Sequence, residues 1–350
     1  MDTRRALLAA LEEGPVAGPA LAEELDVSRA AVWKAVESLR EEGFAVASTN
    51  EGYVAPARLG YSAAGIEFGL DAPYAVEYHE RVSSTNDRAR ELATEGADRV
   101  AVVADEQVGG RGRLNREWVA PSGGVWVSVA TRPDVSPARV PLFTLAAAIA
   151  MTDACREAGV DAHIKWPNDV LVGREDGDSD ENEETREDPP SSASSASAAS
   201  SASSASAPIG RGGRKLAGVL TEMEGEADRV SWLIAGMGIN ADIDASDLPA
   251  GATSLRAELD GPVDRRRVAA TLLERFAALT ETADGLDRVL PAWRERASTL
   301  GRRVRVETAT DSIVGTAVDV VSPGALVIDT GEGERRVHAG DCEHLRDAEE

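Results

Sequence analysis

Apolar residues recur at helical spacing over the first forty positions and then give way to alternating and continuous apolar runs. Leu7, Leu8 and Leu11 mark a first helix, and Pro19 suits the first turn of a second carrying Leu21 and Leu25. Ser28 is a good N-cap for a third, "SRAAVWKAVESLREEG", whose inward stripe is Val32, Ala35, Val36 and Leu39 and which Gly43 ends. "FAVASTNEGYVA" follows as two short strands around a polar turn. Helix, helix, turn, helix, hairpin is the order of a winged helix-turn-helix over residues 1–58, with the third helix as the groove reader. Arg29, Trp33, Lys34 and Arg40 lie off its inward stripe and are the candidate DNA contacts.

Residues 62–297 read as a mixed α/β region. "RVAVVADEQ", "GGVWVSVATR", "HIKWPNDVLV", "KLAGVLTEME" and "RVSWLIAGMGIN" have strand character. "RVPLFTLAAAIAMTDACREAGV" reads as a long helix, and 264–297 as helical. Residues 300–350 are short strands with Gly and Pro turns, as in a small barrel. The class is α+β.

Within the middle region, residues 175–188 hold nine acids and one arginine, and 189–208 only Ser, Ala and Pro. Neither part can bury a core, so an insert over 175–213 is expected to be disordered. The flanking "KWPNDVLV" and "RKLAGVLTEME" look like the two arms of one hairpin. The insert is then an inflated hairpin tip rather than a domain boundary. Lengthening a loop costs only about 0.6 kcal/mol per doubling.

Charge adds an environment. The net charge is −24, and only Lys34, Lys165 and Lys215 among 37 basic residues are lysine. An acidic, lysine-poor chain fits work in concentrated salt, where self-repulsion is screened. A high-GC codon bias would also swap lysine for arginine but would not explain the excess of acid. Residues 1–58 carry six basic and ten acidic residues, which lacks the usual footprint of a nucleic-acid binder. In high salt that footprint is worth less. Cys155 and Cys342 form neither a metal spacing nor a disulfide framework. The charged start is no signal peptide, and no apolar run approaches membrane-helix length, so a cytoplasmic protein without a membrane partner is expected.

Three clusters hold candidate chemistry: "SSTND" (83–87), "DEQVGGRGRLN" (105–115), and "KWPND" with "RKLAG". A glycine turn interleaved with arginines lets N–H groups and guanidinium forks reach phosphate or carboxylate oxygens, although such turns are often plain solvated loops. "SSTN" is equally a plain N-cap. "GMGINA" (236–241) matches a dinucleotide fingerprint, but Pro249 and Gly251 follow where the receiving helix should stand, so that reading is rejected.

In this order the clusters resemble the biotin–protein ligase family, in its bifunctional form that is also the biotin operon repressor. The resemblance runs from "SRAAVWK" through "SSTN", "GRGR", "KWPND", "KLAG" and "GMGIN" to the terminal barrel. It implies a catalytic domain related to class II aminoacyl-tRNA synthetases, followed by an SH3-like barrel. It also implies a biotin site at Ser84, Thr85, Asn86, Gln107, Arg111, Gly112, Arg113, Ser128, Lys215 and Gly218. The implied ATP site is Lys165, Trp166, Asn168, Asp169, Asn240 and Arg346, with Lys215 and Arg113 catalytic and the metal ligands unassigned. ATP, Mg²⁺ and biotin would give biotinyl-5′-adenylate, which a lysine of a biotin carboxyl carrier protein attacks. Operator DNA and a homodimer in the adenylate-bound state are the other implied partners. Three readings compete: a lipoate ligase, a monofunctional ligase with a vestigial winged helix, and a biotin-sensing regulator without useful catalysis.

Overall fold

The computed structural model describes residues 3–12, 14–41, 44, 46–54, 60–68, 70–173, 212–282 and 284–345. The insert up to residue 211 and Arg346 lie outside these residues.

At the N-terminus, α1 (Thr3–Glu12), α2 (Gly18–Glu24) and α3 (Arg29–Glu41) precede a hairpin of β1 (Ala47–Thr49) and β2 (Gly52–Val54). The predicted stripe is the core: Leu7, Leu8, Leu11, Leu21, Val32, Ala35, Val36 and Leu39 close on Phe44 and Val46. Ser28 caps α3, accepting from Ala31 N–H at 3.1 Å. Arg40 departs from the expected reading contact. Its Nε donates to Val46 O (2.9 Å), Nη2 to Ser48 Oγ (2.9 Å) and Nη1 to Glu37 (2.6 Å). The guanidinium therefore ties the hairpin to α3. The short α4 (Ala63–Glu67) follows, and Phe68 at its end packs edge-on to Phe44, with ring centroids 5.8 Å apart.

The middle region runs β3 (Ala75–Val82), α5 (Thr85–Thr94), β4 (Val100–Gln107), β5 (Val125–Thr131), α6 (Val140–Glu157), β6 (Ala162–Lys165), β7 (Asp169–Val172), β8 (Arg214–Gly225) and β9 (Val230–Ile239). Helices α7 (Leu255–Leu259), α8 (Arg265–Thr280) and α9 (Gly285–Arg296) complete it. The sheet order is β3-β4-β5-β9-β8-β7-β6, with β3 and β4 parallel across α5 and every other pair antiparallel. Alternate residues of β5 and β9 enter the main core beneath α6 and α8, and the others face α5.

Two expectations need correction. The segment Pro137–Glu157 is long and apolar enough to cross a membrane, contrary to the sequence reading. Its apolar residues are buried against the sheet, α8 and α9, which makes it the core helix of this region. The helical stretch 264–297 is two helices, broken between Thr280 and Gly285.

The C-terminal strands β10 (Arg303–Glu307), β11 (Ser312–Val321), β12 (Ala325–Asp329), β13 (Glu334–Val337) and β14 (Asp341–His344) form an antiparallel sheet in the order β13-β12-β11-β10-β14. Strand β14 lies against the middle region, and its first three residues line the cleft described next.

Candidate active site

A cleft of about 650 Å³ opens over the α5 face of the central sheet, walled by the Gly-Arg turn and by β14. Its floor is low because glycines recur at the strand period on the face toward the cleft, with Leu220 opposite Gly236. Gly218 and Leu220 of β8, and Gly236 and Gly238 of β9, alternate along paired strands. A Cβ on Gly236 would stand 2.1 Å from Asn86 Oδ1, and one on Gly238 would stand 3.2 Å from Trp118 Nε1. The "GMG" glycines therefore admit side chains from above the sheet, which explains a glycine pattern without a dinucleotide turn. Gly236→Ala is expected to displace Asn86 and raise the KM for the ligand bound there by about tenfold, from an overpacking cost of roughly 1–3 kcal/mol. Steady-state titration of each substrate in turn checks this.

At one end, Ser84 caps α5, accepting from Asp87 N–H at 3.4 Å, and also lines the cleft. The two readings of "SSTN" are thus compatible. Thr85 N–H donates to Gln107 Oε1 at 2.8 Å, and Ser128 Oγ lies 2.7 Å from Thr85 Oγ1 and 2.6 Å from Asn86 Oδ1. Arg111 pairs with Asp87 at 2.5 Å, and Gly112 lines the cleft beside it. Arg113 Nη1 donates to Asn168 Oδ1 (3.1 Å) and Nη2 to Gly340 O (2.9 Å), so it bridges to the C-terminal sheet. Burial lowers the Arg113 pKa, while Asp341 and Asp169 act against this. A partly desolvated cation at a cleft wall gains from an anionic ligand.

At the other end the hairpin arms meet. Strand β7 pairs with β8, Asp169 opposite Gly218 and Leu171 opposite Lys215. Lys215 Nζ lies 2.6 Å from Asp169 Oδ1 and 5.1 Å from the centre of the Trp118 ring. Lys165 lines the cleft as a buried residue. Asn168 Nδ2 donates to Val219 O at 2.8 Å, and Asn240 Nδ2 to Thr253 O at 2.9 Å, which fixes both amides at the rim.

Trp166 does not join them. It is 1% exposed, its indole N–H donates to Gly324 O (3.1 Å) and its backbone N–H to Thr299 Oγ1 (3.0 Å). It is a buried anchor holding the "KWPND" turn to the C-terminal sheet, which corrects its assignment as an ATP contact.

Trp118 and Asp341 line the cleft without having been singled out in the sequence. The indole N–H of Trp118 is buried without a protein partner. Asp341 pairs with Arg116 at 2.5 Å. Burial raises its pKa, but the Arg116 hydrogen bond and the charges of Arg116, Arg113 and Lys165 outweigh this and leave it lowered. Trp118 follows the Gly-Arg turn closely enough to have been found; Asp341 arrives from a distant strand.

Residues 78–240 match the Biotin/lipoate A/B protein ligase family, residues 3–54 an HTH domain, and residues 299–345 the Biotin protein ligase C terminal domain. The bifunctional ligase/repressor BirA of Bacillus subtilis is 32% identical over 344 residues, covering 94% of this chain and 93% of that protein. The Escherichia coli protein of the same description is 27% identical over 332 residues, covering 92% and 91%. Among solved structures, a biotin protein ligase from Aquifex aeolicus in complex with biotin and ATP is similar in fold, with a TM-score of 0.55 and 22% identity. That match covers 77% of this chain and 99% of the Aquifex chain. With its ligase region, HTH domain and C-terminal domain all matched, and with the Bacillus relative aligned almost end to end, this chain belongs to the biotin protein ligase family in its bifunctional ligase/repressor form.

Proposed function

We propose that the cleft condenses biotin with ATP and passes the biotinyl group to a lysine of a carrier protein. The observation that carries this is the convergence of Ser84, Thr85, Asn86, Gln107, Arg111, Arg113, Lys165, Asn168, Asp169, Lys215 and Asn240 on one cleft. In the first step a biotin carboxylate oxygen attacks the α-phosphorus, the bond to the bridging oxygen breaks and pyrophosphate leaves. In the second, the carrier amine attacks the acyl carbon and AMP leaves.

Both steps concentrate negative charge at the α-phosphate, so a fixed cation stabilises the transition state more than the ground state. Lys215 is that cation, exchanging Asp169 for the carboxylate and phosphate oxygens. Arg111 and Arg113 close over the adenylate and keep water from it. Lys165, Asn168 and Asn240 hold the nucleotide. Asp169, released by Lys215, would be a carboxylate able to hold Mg²⁺, which would neutralise phosphate charge.

Release of pyrophosphate by purified protein with ATP, Mg²⁺ and either biotin or lipoate, in molar salt, tests the reading. Release with biotin alone is expected. Release with lipoate alone would make the chain a lipoate ligase, and release with neither would leave a ligand sensor.

For the N-terminal region the proposal is operator binding by α3, by a dimer formed when the adenylate is bound, in a cytoplasmic protein adapted to salt. Trp33 is 59% exposed, and Arg29 and Lys34 are exposed beside it. Lys34→Ala is expected to weaken binding across all sequences and reduce the slope of log K against log salt by about 1 per subunit. An unchanged slope in a salt titration would remove Lys34 from the interface.

A further inference from the structure

We infer that Glu222 is a positioning residue that fixes the direction of a hydrogen-bond chain running from β8 to the biotin pocket, and so sets which donors and acceptors biotin meets. This rests on the biotin reading of Thr85, Asn86, Gln107 and Ser128. None of the residues that the family resemblance assigns to ligands is Glu222, and it stands behind the cleft wall rather than in it.

Arg90 Nη2 donates to both Glu222 oxygens, at 2.8 and 2.7 Å, and a carboxylate so held only accepts. Asn86 places one end of its amide 2.8 Å from Glu222 Oε2. That end must be the NH₂ group, because two acceptors cannot face each other. The amide oxygen then faces Ser128 Oγ at 2.6 Å. Ser128 has one hydroxyl hydrogen and gives it to Asn86, so toward Thr85 Oγ1, 2.7 Å away, it can only accept. Thr85 Oγ1 also lies 3.1 Å from Gln107 Oε1, so its one hydrogen is shared between Ser128 and Gln107 while its lone pairs are left for the cleft. Gln107 Oε1 is taken by Thr85 N–H at 2.8 Å, leaving the Gln107 NH₂ for a ligand.

The pocket thus offers an acceptor at Thr85 and a donor at Gln107, both lining the cleft. A cyclic urea, such as the ureido ring of biotin, presents N–H donors and a carbonyl acceptor to match. Ser128 is fully buried and Asn86 nearly so, so water cannot readily replace a lost link. With glutamine at 222 the amide can donate or accept, and the direction of Asn86 is left to its long 3.4 Å contact with Leu220 O.

The test is steady-state adenylation by the full chain carrying Glu222→Gln, Asn86→Ala, both together, or Ser128→Ala. Glu222→Gln should raise the KM for biotin by about ten- to a hundredfold while the KM for ATP and kcat move less than about threefold. The double variant should be no worse than Asn86→Ala alone, since Glu222 acts through Asn86. Ser128→Ala cuts the same chain and should give the same split, which keeps the test open if Glu222→Gln does not fold. An unchanged KM for biotin in Glu222→Gln, or equal rises for biotin and ATP, overturns the positioning role while Asn86→Ala still raises the KM for biotin. If Asn86→Ala itself leaves that KM unchanged, the biotin reading of the pocket fails and the inference falls with it.

Discussion

Replacing Lys215 with alanine will lower biotin-dependent pyrophosphate release by about a hundred- to a thousandfold, the range found when a fixed transition-state donor is removed. Lys215 is one of only three lysines in the chain, in a composition that otherwise uses arginine for positive charge. Its ammonium sits over the Trp118 face and against Asp169, in the lining of the cleft. A compact charge on a flexible stem can leave Asp169 for the developing charge at the α-phosphate, which a planar guanidinium does less readily. The fold should survive, because Asp169 left alone is 24% exposed and water can take over its hydrogen bonds. Thermal unfolding near that of the parent with release reduced at least a hundredfold is the expected pair of results. Parent-like turnover would end the role assigned to Lys215.

The second large effect concerns stability. Trp166→Ala should cost about 3–5 kcal/mol, the range for removing a buried aromatic side chain. The side chain is fully enclosed, and the variant also strands the Gly324 carbonyl that accepts its indole N–H. The bridge from the Trp166 backbone N–H through Thr299 to His344 Nε2 survives in the variant but must hold the "KWPND" turn without the indole anchor. Chemical denaturation measures the cost. Adenylation at saturating ATP should recover more than adenylation at low ATP, since Lys165 and Asn168 are displaced rather than removed. A cost near zero would mean that the C-terminal sheet does not hold the turn.

What the sequence made legible depended on how local the cause was. The stripe of α3 and the Ser28 cap are set by residues within a few positions, and both are in the structure. The hairpin arms could be read across a long tract because their apolar patterns matched, and β7 does pair with β8. Arg40 was misread because its partners, Val46 and Ser48, lie on the hairpin, and only the packed structure brings them to α3. Trp166 was misread because a motif gives the order of residues but not which way each one faces. Asp341 stands in the cleft through a contact between elements more than two hundred residues apart, with Arg116, and no local signal announces it. The glycines of "GMGIN" were visible, but their purpose lay in Asn86 and Trp118 above them.

The joint between β7 and β8 has a consequence for the length of the tract between them. A Cβ on Gly213 would stand 2.5 Å from the Gly173 carbonyl oxygen, so the described ends of the long tract touch. Asp169 and Lys215 are set by strand register on the near side of that contact, with Asp169 opposite Gly218. Residues gained or lost between the two glycines therefore leave the reacting groups where they were. A change in the length of that segment is then expected to leave turnover as it was, which the activity of a chain lacking residues 176–208 would check.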